Sequence, residues 1–279
     1  MSTRSRRISV RCDHGILARV TDFPRLLYAH RGANAELPEN TLPAFRRAIE
    51  RGATAIETDA HMTADGHVVL SHDSSGLRMA NIRREIRDCS LAEVQSWDVG
   101  WGFVDPVTRT RPFTGEGFRI PLLEELLREV PSVPINVDVK QREPDMVPAV
   151  MAMLKRTGNE SRVRLASFST RTLRRIRVAG YPGPTGLSQN EVAAIYFTPR
   201  AALGAFRDKR LAAQVPLNVW RFRFDERAFI DKCHSLGIRV DFWTVDDPSE
   251  ARRLYALGAD GVMTDDPQRV VSGLAATSA

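Results

Sequence analysis

Eight short apolar runs, almost all separated by segments of helical periodicity, set the first limit on what this chain can fold into. The runs are RLLYAH (25–30), AIETDA (55–60), PINVDVK (134–140), RVRLASFS (162–169), TGLS (185–188), AAQVPLNV (212–219), IRVDFWTVD (238–246) and ADGVMTDD (259–266). Between them lie amphipathic stretches such as NTLPAFRRAIERG, where Asn40 is an expected N-cap that, with Glu39, is also expected to brace the site beside His30, Leu42, Phe45, Ala48 and Ile49 share a face, and Gly52 is a stop. Strand–helix alternation with short loops predicts a parallel sheet. Eight such units predict closure into a (β/α)8 TIM barrel, an α/β fold that about 250 residues form as a single domain.

The flanks follow by subtraction. Residues 1–24 form a basic N-terminal tail, 25–272 the barrel domain and 273–279 a C-terminal tail that is expected to fray. After the second strand, ADG and HVVLSHD read as a hairpin extension. Residues 74–121 break the alternation and read as an insertion, rich in Gly, Pro and aromatic residues around WDVGWGF. Such a segment is a candidate lid or a loop with its own small core.

Composition narrows the class. Apolar content is 43% and charge 27%, as in globular chains. No apolar run approaches the roughly 18 residues of a membrane span. Arg6-Arg7 is a twin-arginine pair, but Arg11, Asp13, His14 and Arg19 leave no apolar export region, so a cytoplasmic protein is expected. Cys12, Cys89 and Cys233 fit neither a disulfide framework nor zinc spacing and are expected to be reduced. Lys and Arg number 40 against 34 Asp and Glu, a net charge of +6 spread along the chain. No nucleic-acid module is present, and nothing in the sequence assigns an oligomeric state.

The chemistry is concentrated at the strand ends, where barrels place their sites. Glu57 and Asp59 are two apart on one strand and so share a face, as do Asp138 and Lys140 on the next. Three converging carboxylates cannot all stay ionised without a cation. An oxygen-only set favours Mg2+ or Ca2+ over zinc; the alternative is ion pairing with Arg and Lys in the barrel. His61 shares the face of Glu57 and Asp59 but is not needed by an oxygen-rich ion. Asp265 closes the last strand and receives no catalytic role.

These residues carry a resemblance. The stretch HRG…PENTLPAFRRAIERGATAIETDAHMTADGHVVLSHD, followed in order by PINVDVK, SF, VDFWTVDDP and GADGVMTDDP, resembles the glycerophosphodiester phosphodiesterase family from about Leu27 to about Val271. The resemblance implies a (β/α)8 barrel, in agreement with the reading above. It implies catalytic roles for His30 and His72 and metal ligation by Glu57, Asp59 and Asp138 with one divalent cation, Mg2+ or Ca2+. It also implies phosphate neutralisation by Arg31 and Lys140, and contact of Trp243 with the substrate. Many members carry Glu at position 138, where this chain has the shorter Asp.

The implied reaction is hydrolysis of glycerophosphodiesters to sn-glycerol 3-phosphate and an alcohol through a cyclic phosphate. The substrate's 2-hydroxyl is the nucleophile, and two histidines exchange the roles of base and acid. A lysophospholipase D that releases lysophosphatidic acid is the alternative, with the insertion and VWRFRF as sources of an apolar groove. A non-catalytic binder of anionic phosphates would be marked by a missing histidine or acid, and none is missing.

Overall fold

The computed structural model describes residues 24–204 and 210–276. Their strands are β1 (Leu26–His30), β2 (Ala55–Met62), β3 (Val68–Leu70), β4 (Ile135–Val139), β5 (Val163–Ala166), β6 (Thr185–Gly186), β7 (Leu211–Val215), β8 (Asn218–Val219), β9 (Phe222–Arg223), β10 (Arg239–Phe242) and β11 (Gly261–Thr264). Those in the barrel pair in parallel in the order β1–β2–β4–β5–β6–β7–β10–β11, and β11 returns to β1. The sheet is therefore a closed barrel of eight parallel strands. β3 lies outside it, as the antiparallel half of a hairpin with β2.

The helices are α1 (Leu42–Glu50), α2 (Leu77–Ala80), α3 (Leu91–Gln95), α4 (Leu123–Glu129), α5 (Val147–Thr157), α6 (Thr170–Val178), α7 (Gln189–Phe197), α8 (Arg227–His234), α9 (Pro248–Leu257) and α10 (Pro267–Ala275). Alternation along each strand divides its side chains between helix layer and barrel interior. Ile56 and Val137 join one buried cluster with Leu126 of α4 and Val150 of α5. Val240 and Val262 join another with Ile230 of α8 and Leu254 of α9. None of the described helices is long and apolar enough to cross a membrane.

Away from the strand ends the barrel interior is polar and paired. Arg239 Nε donates to Asp241 Oδ1 at 2.8 Å, and Arg164 Nη1 donates to the Tyr28 hydroxyl at 2.9 Å. Arg164 also lies 3.5 Å from Asp241, whose side chain is fully buried. Gly261 is required beside this cluster, because a Cβ there would meet Asp241 Oδ1 at 2.4 Å. Gly32 is required where β1 turns towards α1: its φ is +90° and a Cβ would lie 2.8 Å from Ala44.

Several expectations change. The N-terminal tail, with Cys12 and His14, falls almost wholly outside the described residues. Asn40 does not cap α1. Thr41 does, accepting from the Ala44 amide, while Asn40 has φ +54° and turns inward. The expected C-terminal tail begins inside α10, which continues to Ala275. After β6, α7 ends at Phe197 and a 3-10 turn follows at Arg200–Ala202. The run AAQVPLNV is two strands, because the chain leaves the barrel at Pro216 and β8 pairs with β9 in a separate hairpin.

The insertion builds its own core. Met79, Ile86, Val94, Trp97, Val99 and Ile120 pack on Val69 of β3. Cys89, also buried in this cluster, and Cys233 are free thiols. Replacing Asp241 by Ala should strand Arg239 and Arg164 without a counter-charge. The expected loss is about 3–5 kcal/mol of unfolding free energy, measured by urea denaturation.

Candidate active site

Parallel register alone assembles most of the site. His30 is opposite Glu57 in the β1–β2 ladder, and Asp59 is opposite Asp138 in the β2–β4 ladder. All four line a cavity of about 700 Å3 at the C-terminal ends of the strands, together with Arg31, His72, Lys140 and Trp243. Every expected site residue thus faces one space. No residue of the 74–121 insertion lines it. The insertion's aromatics pack within its own core.

Asp59 is the electrostatic centre. Arg31 Nε lies 3.1 Å from its Oδ2, and Lys140 Nζ lies 3.0 Å from its Oδ1. Burial opposes its charge, but Lys140 and Arg31 outweigh that and hold its pKa below the ordinary carboxylate value. Asn40 Nδ2 donates to Asp59 Oδ2 at 3.2 Å, and its Oδ1 accepts from Thr58. Lys140 also touches Asp138 Oδ2 at 2.7 Å. Burial works against the lysine's charge, yet Asp138 and Asp59 keep its pKa raised.

Among the described residues, the Glu57 carboxylate has no Lys or Arg in contact. Burial, then the charge of Asp59, pushes its pKa up to about 8. Asp138 is likewise raised, chiefly by burial.

Two carboxylate oxygens of the site, Glu57 Oε2 and Asp138 Oδ1, are buried with no hydrogen-bond donor among the described residues. An orphaned anionic oxygen is expensive inside a protein. With Asp59, they form an all-oxygen donor set of the kind hard cations prefer. Among the described residues, no three His, Cys, Asp or Glu side chains are drawn into a finished cage, and Lys140 Nζ stands between Asp59 and Asp138.

Each histidine has a carboxylate on Nδ1. His30 Nδ1 is 2.6 Å from Asp265 Oδ1, and His72 Nδ1 is 2.8 Å from Asp73 Oδ1. A carboxylate only accepts, so the neutral rings carry the proton on Nδ1 and leave Nε2 available. His30 Nε2 lies 3.8 Å from Glu57 Oε2. Burial lowers the His30 pKa, but the bond to Asp265 and the charge of Glu57 outweigh it, and the net shift is upward. Asn34 Nδ2 fixes the pair by donating to Asp265 Oδ1 at 2.7 Å and to the His30 carbonyl at 3.0 Å. Asp73 is held by Arg78 Nε at 2.5 Å.

His61 does not enter the cavity; its Nε2 lies 3.3 Å from the His72 carbonyl and steadies that backbone.

Sequence reasoning placed Asp265 at the end of the last strand without a catalytic role, and it did not single out Asn34. The signal for Asp265 was barrel closure: Ala29 is opposite Thr264, so the next residues on each strand are neighbours. The other wall of the cavity was also unanticipated in its extent. It is apolar, built from Leu187, Val192, Tyr196 and Phe197 around α7 and from Phe222 and Phe224 of the hairpin segment. Trp243 meets Phe168 edge to face at 5.9 Å where the two walls join.

Paired imidazoles beside fixed cations and acids, at the mouth of a barrel, are groups suited to the hydrolysis of anionic esters. The chain matches the glycerophosphoryl diester phosphodiesterase family over residues 30–269 and belongs to it. It is therefore a phosphoric diester hydrolase. A glycerophosphodiester phosphodiesterase of Caldanaerobacter subterraneus is 29% identical, over 88% of this chain and 96% of its own length. Lysophospholipase D GDPD1 of Homo sapiens is 26% identical, over 87% and 83%. The glycerophosphoryl diester phosphodiesterase domain of a Mycobacterium tuberculosis protein superposes with a TM-score of 0.79 at 19% identity, covering 91% of this chain and 99% of that domain.

Replacing Asp265 by Asn should free the His30 ring while conserving volume. The expected result is a fall in kcat of about 100-fold with KM little changed, read by steady-state kinetics alongside an unaltered melting temperature.

Proposed function

We propose that this hydrolase cleaves glycerophosphodiesters by acid–base exchange between His30 and His72, giving sn-glycerol 3-phosphate and an alcohol. The observation that carries the reading is the pair of histidine–carboxylate dyads opening into the cavity that also holds Arg31 and Lys140. One imidazole removes the proton of the substrate's 2-hydroxyl as that oxygen bonds to phosphorus. The other gives its proton to the departing alkoxide, leaving a cyclic phosphate. In the second half the roles reverse: a water proton goes to the imidazole that gave one up, hydroxide opens the ring, and the 2-hydroxyl is reprotonated. Arg31 offers a planar fork to the phosphoryl oxygens and Lys140 a point charge.

Glu57, Asp59 and Asp138 would hold one divalent cation, Mg2+ or Ca2+, satisfying the two orphaned oxygens. When bound, it supplies Lewis-acid polarisation of the substrate oxygens. Lys140 would then be free to turn from the carboxylates towards phosphate.

EDTA should abolish turnover of glycerophosphocholine, and added Mg2+ or Ca2+ should restore it, in a coupled assay for glycerol 3-phosphate. His30→Ala and His72→Ala should each lose about 10²–10⁴-fold in kcat with metal present. Metal-independent turnover, or a full rate in either variant, would sink the mechanism.

The apolar wall favours a second reading, lysophospholipase D activity. Glycerophosphocholine offers that wall nothing, whereas each CH2 of an acyl chain gains about 0.8 kcal/mol on burial. Ala193 of α7 lines this arm and is itself exposed, so a larger side chain there should be tolerated by the fold. Ala193→Trp should reduce lysophosphatidylcholine turnover by at least about tenfold and spare glycerophosphocholine. Equal loss on both substrates would remove the acyl chain from this arm.

A further inference from the structure

The rim of the cavity carries a feature that the chemistry does not use. The hairpin of β8 and β9 turns at Trp220 and Arg221, and neither side chain lines the cavity. Trp220 is 95% exposed and has φ +57°. A bulky residue is rare in that region, and tight hairpin turns ordinarily place Gly, Asn or Asp there. A large apolar ring at a strained tip gains nothing from water.

The tip is continuous with the apolar wall. Val219 and Phe222 of the hairpin line the cavity, as does Phe197 at the end of α7, which is 63% exposed. The Phe197 and Phe222 rings meet edge to face at 5.2 Å. Apolar surface thus runs from inside the cavity to the outermost point of the hairpin.

Charge flanks this surface. Arg221 lies with its guanidinium 5.5 Å from the Phe222 ring, and Arg200 is exposed just beyond α7. Among the described residues, neither has a carboxylate within ion-pair distance, whereas Arg223 is held by Asp225 at 2.8 Å. An indole and a phenyl ring framed by two uncommitted guanidinium groups match the interfacial layer of an anionic membrane. Aromatic rings partition into that layer, and Arg bonds headgroup phosphates.

We propose that this hairpin, with the end of α7, docks on an anionic phospholipid bilayer. Trp220 and Phe197 enter the interface, Arg200 and Arg221 engage headgroup phosphates, and the cavity mouth opens on the membrane. The proposal rests in part on the lysolipid reading, since a mouth facing lipid serves a substrate that resides there.

The test uses the full chain and vesicles that contain no substrate. Wild type should co-sediment with phosphatidylcholine vesicles that include phosphatidylglycerol, less with phosphatidylcholine alone, and less as salt rises. The double variant Trp220→Ser/Arg221→Ser should bind at least about tenfold more weakly. Its turnover of glycerophosphocholine in lipid-free buffer should be unchanged.

Wild type that stays in the supernatant with anionic vesicles overturns the proposal. So does a double variant that binds as tightly as wild type. A wild-type dimer in sedimentation velocity that the double variant dissociates, without vesicle binding by either, would assign the face to a second copy and overturn it too. Failure of the lysolipid reading is seen separately, as absent lysophosphatidylcholine turnover with vesicle binding intact.

Discussion

Strand β1 is hydrogen-bonded on both sides, to β2 and to β11, and the rest of the molecule depends on that closure. An open sheet would leave His30 at an edge. In the closed barrel its neighbours are fixed by register: Glu57 one strand to the left, Asp265 following Thr264 one strand to the right. The imidazole is then held from behind by one carboxylate at 2.6 Å and faced by another at 3.8 Å. The same register brings Asp59 beside Asp138. Chain segments more than two hundred residues apart become one site because backbone hydrogen bonding leaves them no alternative.

Electrostatics then divides the cavity. On one wall, three carboxylates, two histidines and two cations crowd together, with Asp59 held between Arg31 and Lys140 and one oxygen each of Glu57 and Asp138 left without a partner among the described residues. The cost of burying each charge is offset only by its neighbours, so the cluster stands or falls together. The facing wall is aromatic and aliphatic and belongs to α7 and a small hairpin outside the barrel. A polar reaction centre that abuts an apolar arm suits a phosphodiester whose two ends differ in character. The two kinds of relative, one acting on glycerophosphodiesters and one named a lysophospholipase D, differ in what would occupy that arm.

Much of this was legible in the sequence. Eight apolar runs and the helical segments among them specified the barrel. Glu57 with Asp59, and Asp138 with Lys140, could be placed on shared faces by the two-residue period of a strand. Those are local rules, and local rules are carried by adjacent residues. Where the reading failed, a competing long-range interaction had won. Asn40 is chemically a good cap, but its amide is needed by Asp59 and Thr58, so Thr41 caps instead. For the 74–121 insertion, lid and own core were both open on composition, and the core that Trp97 and its neighbours form against β3 is a tertiary fact.

The sequence by itself thus determined the fold class, the strand faces and the chemical identity of the carboxylate, imidazole and cationic groups, because each follows from periodicity or from a side chain's own functional groups. Tertiary structure alone decided which carboxylate serves His30, where the Lys140 ammonium rests, and which segments form the apolar wall. Those are questions of distance between residues remote in the chain. Distance is set by barrel closure and helix packing, and no pattern of neighbouring residues encodes it.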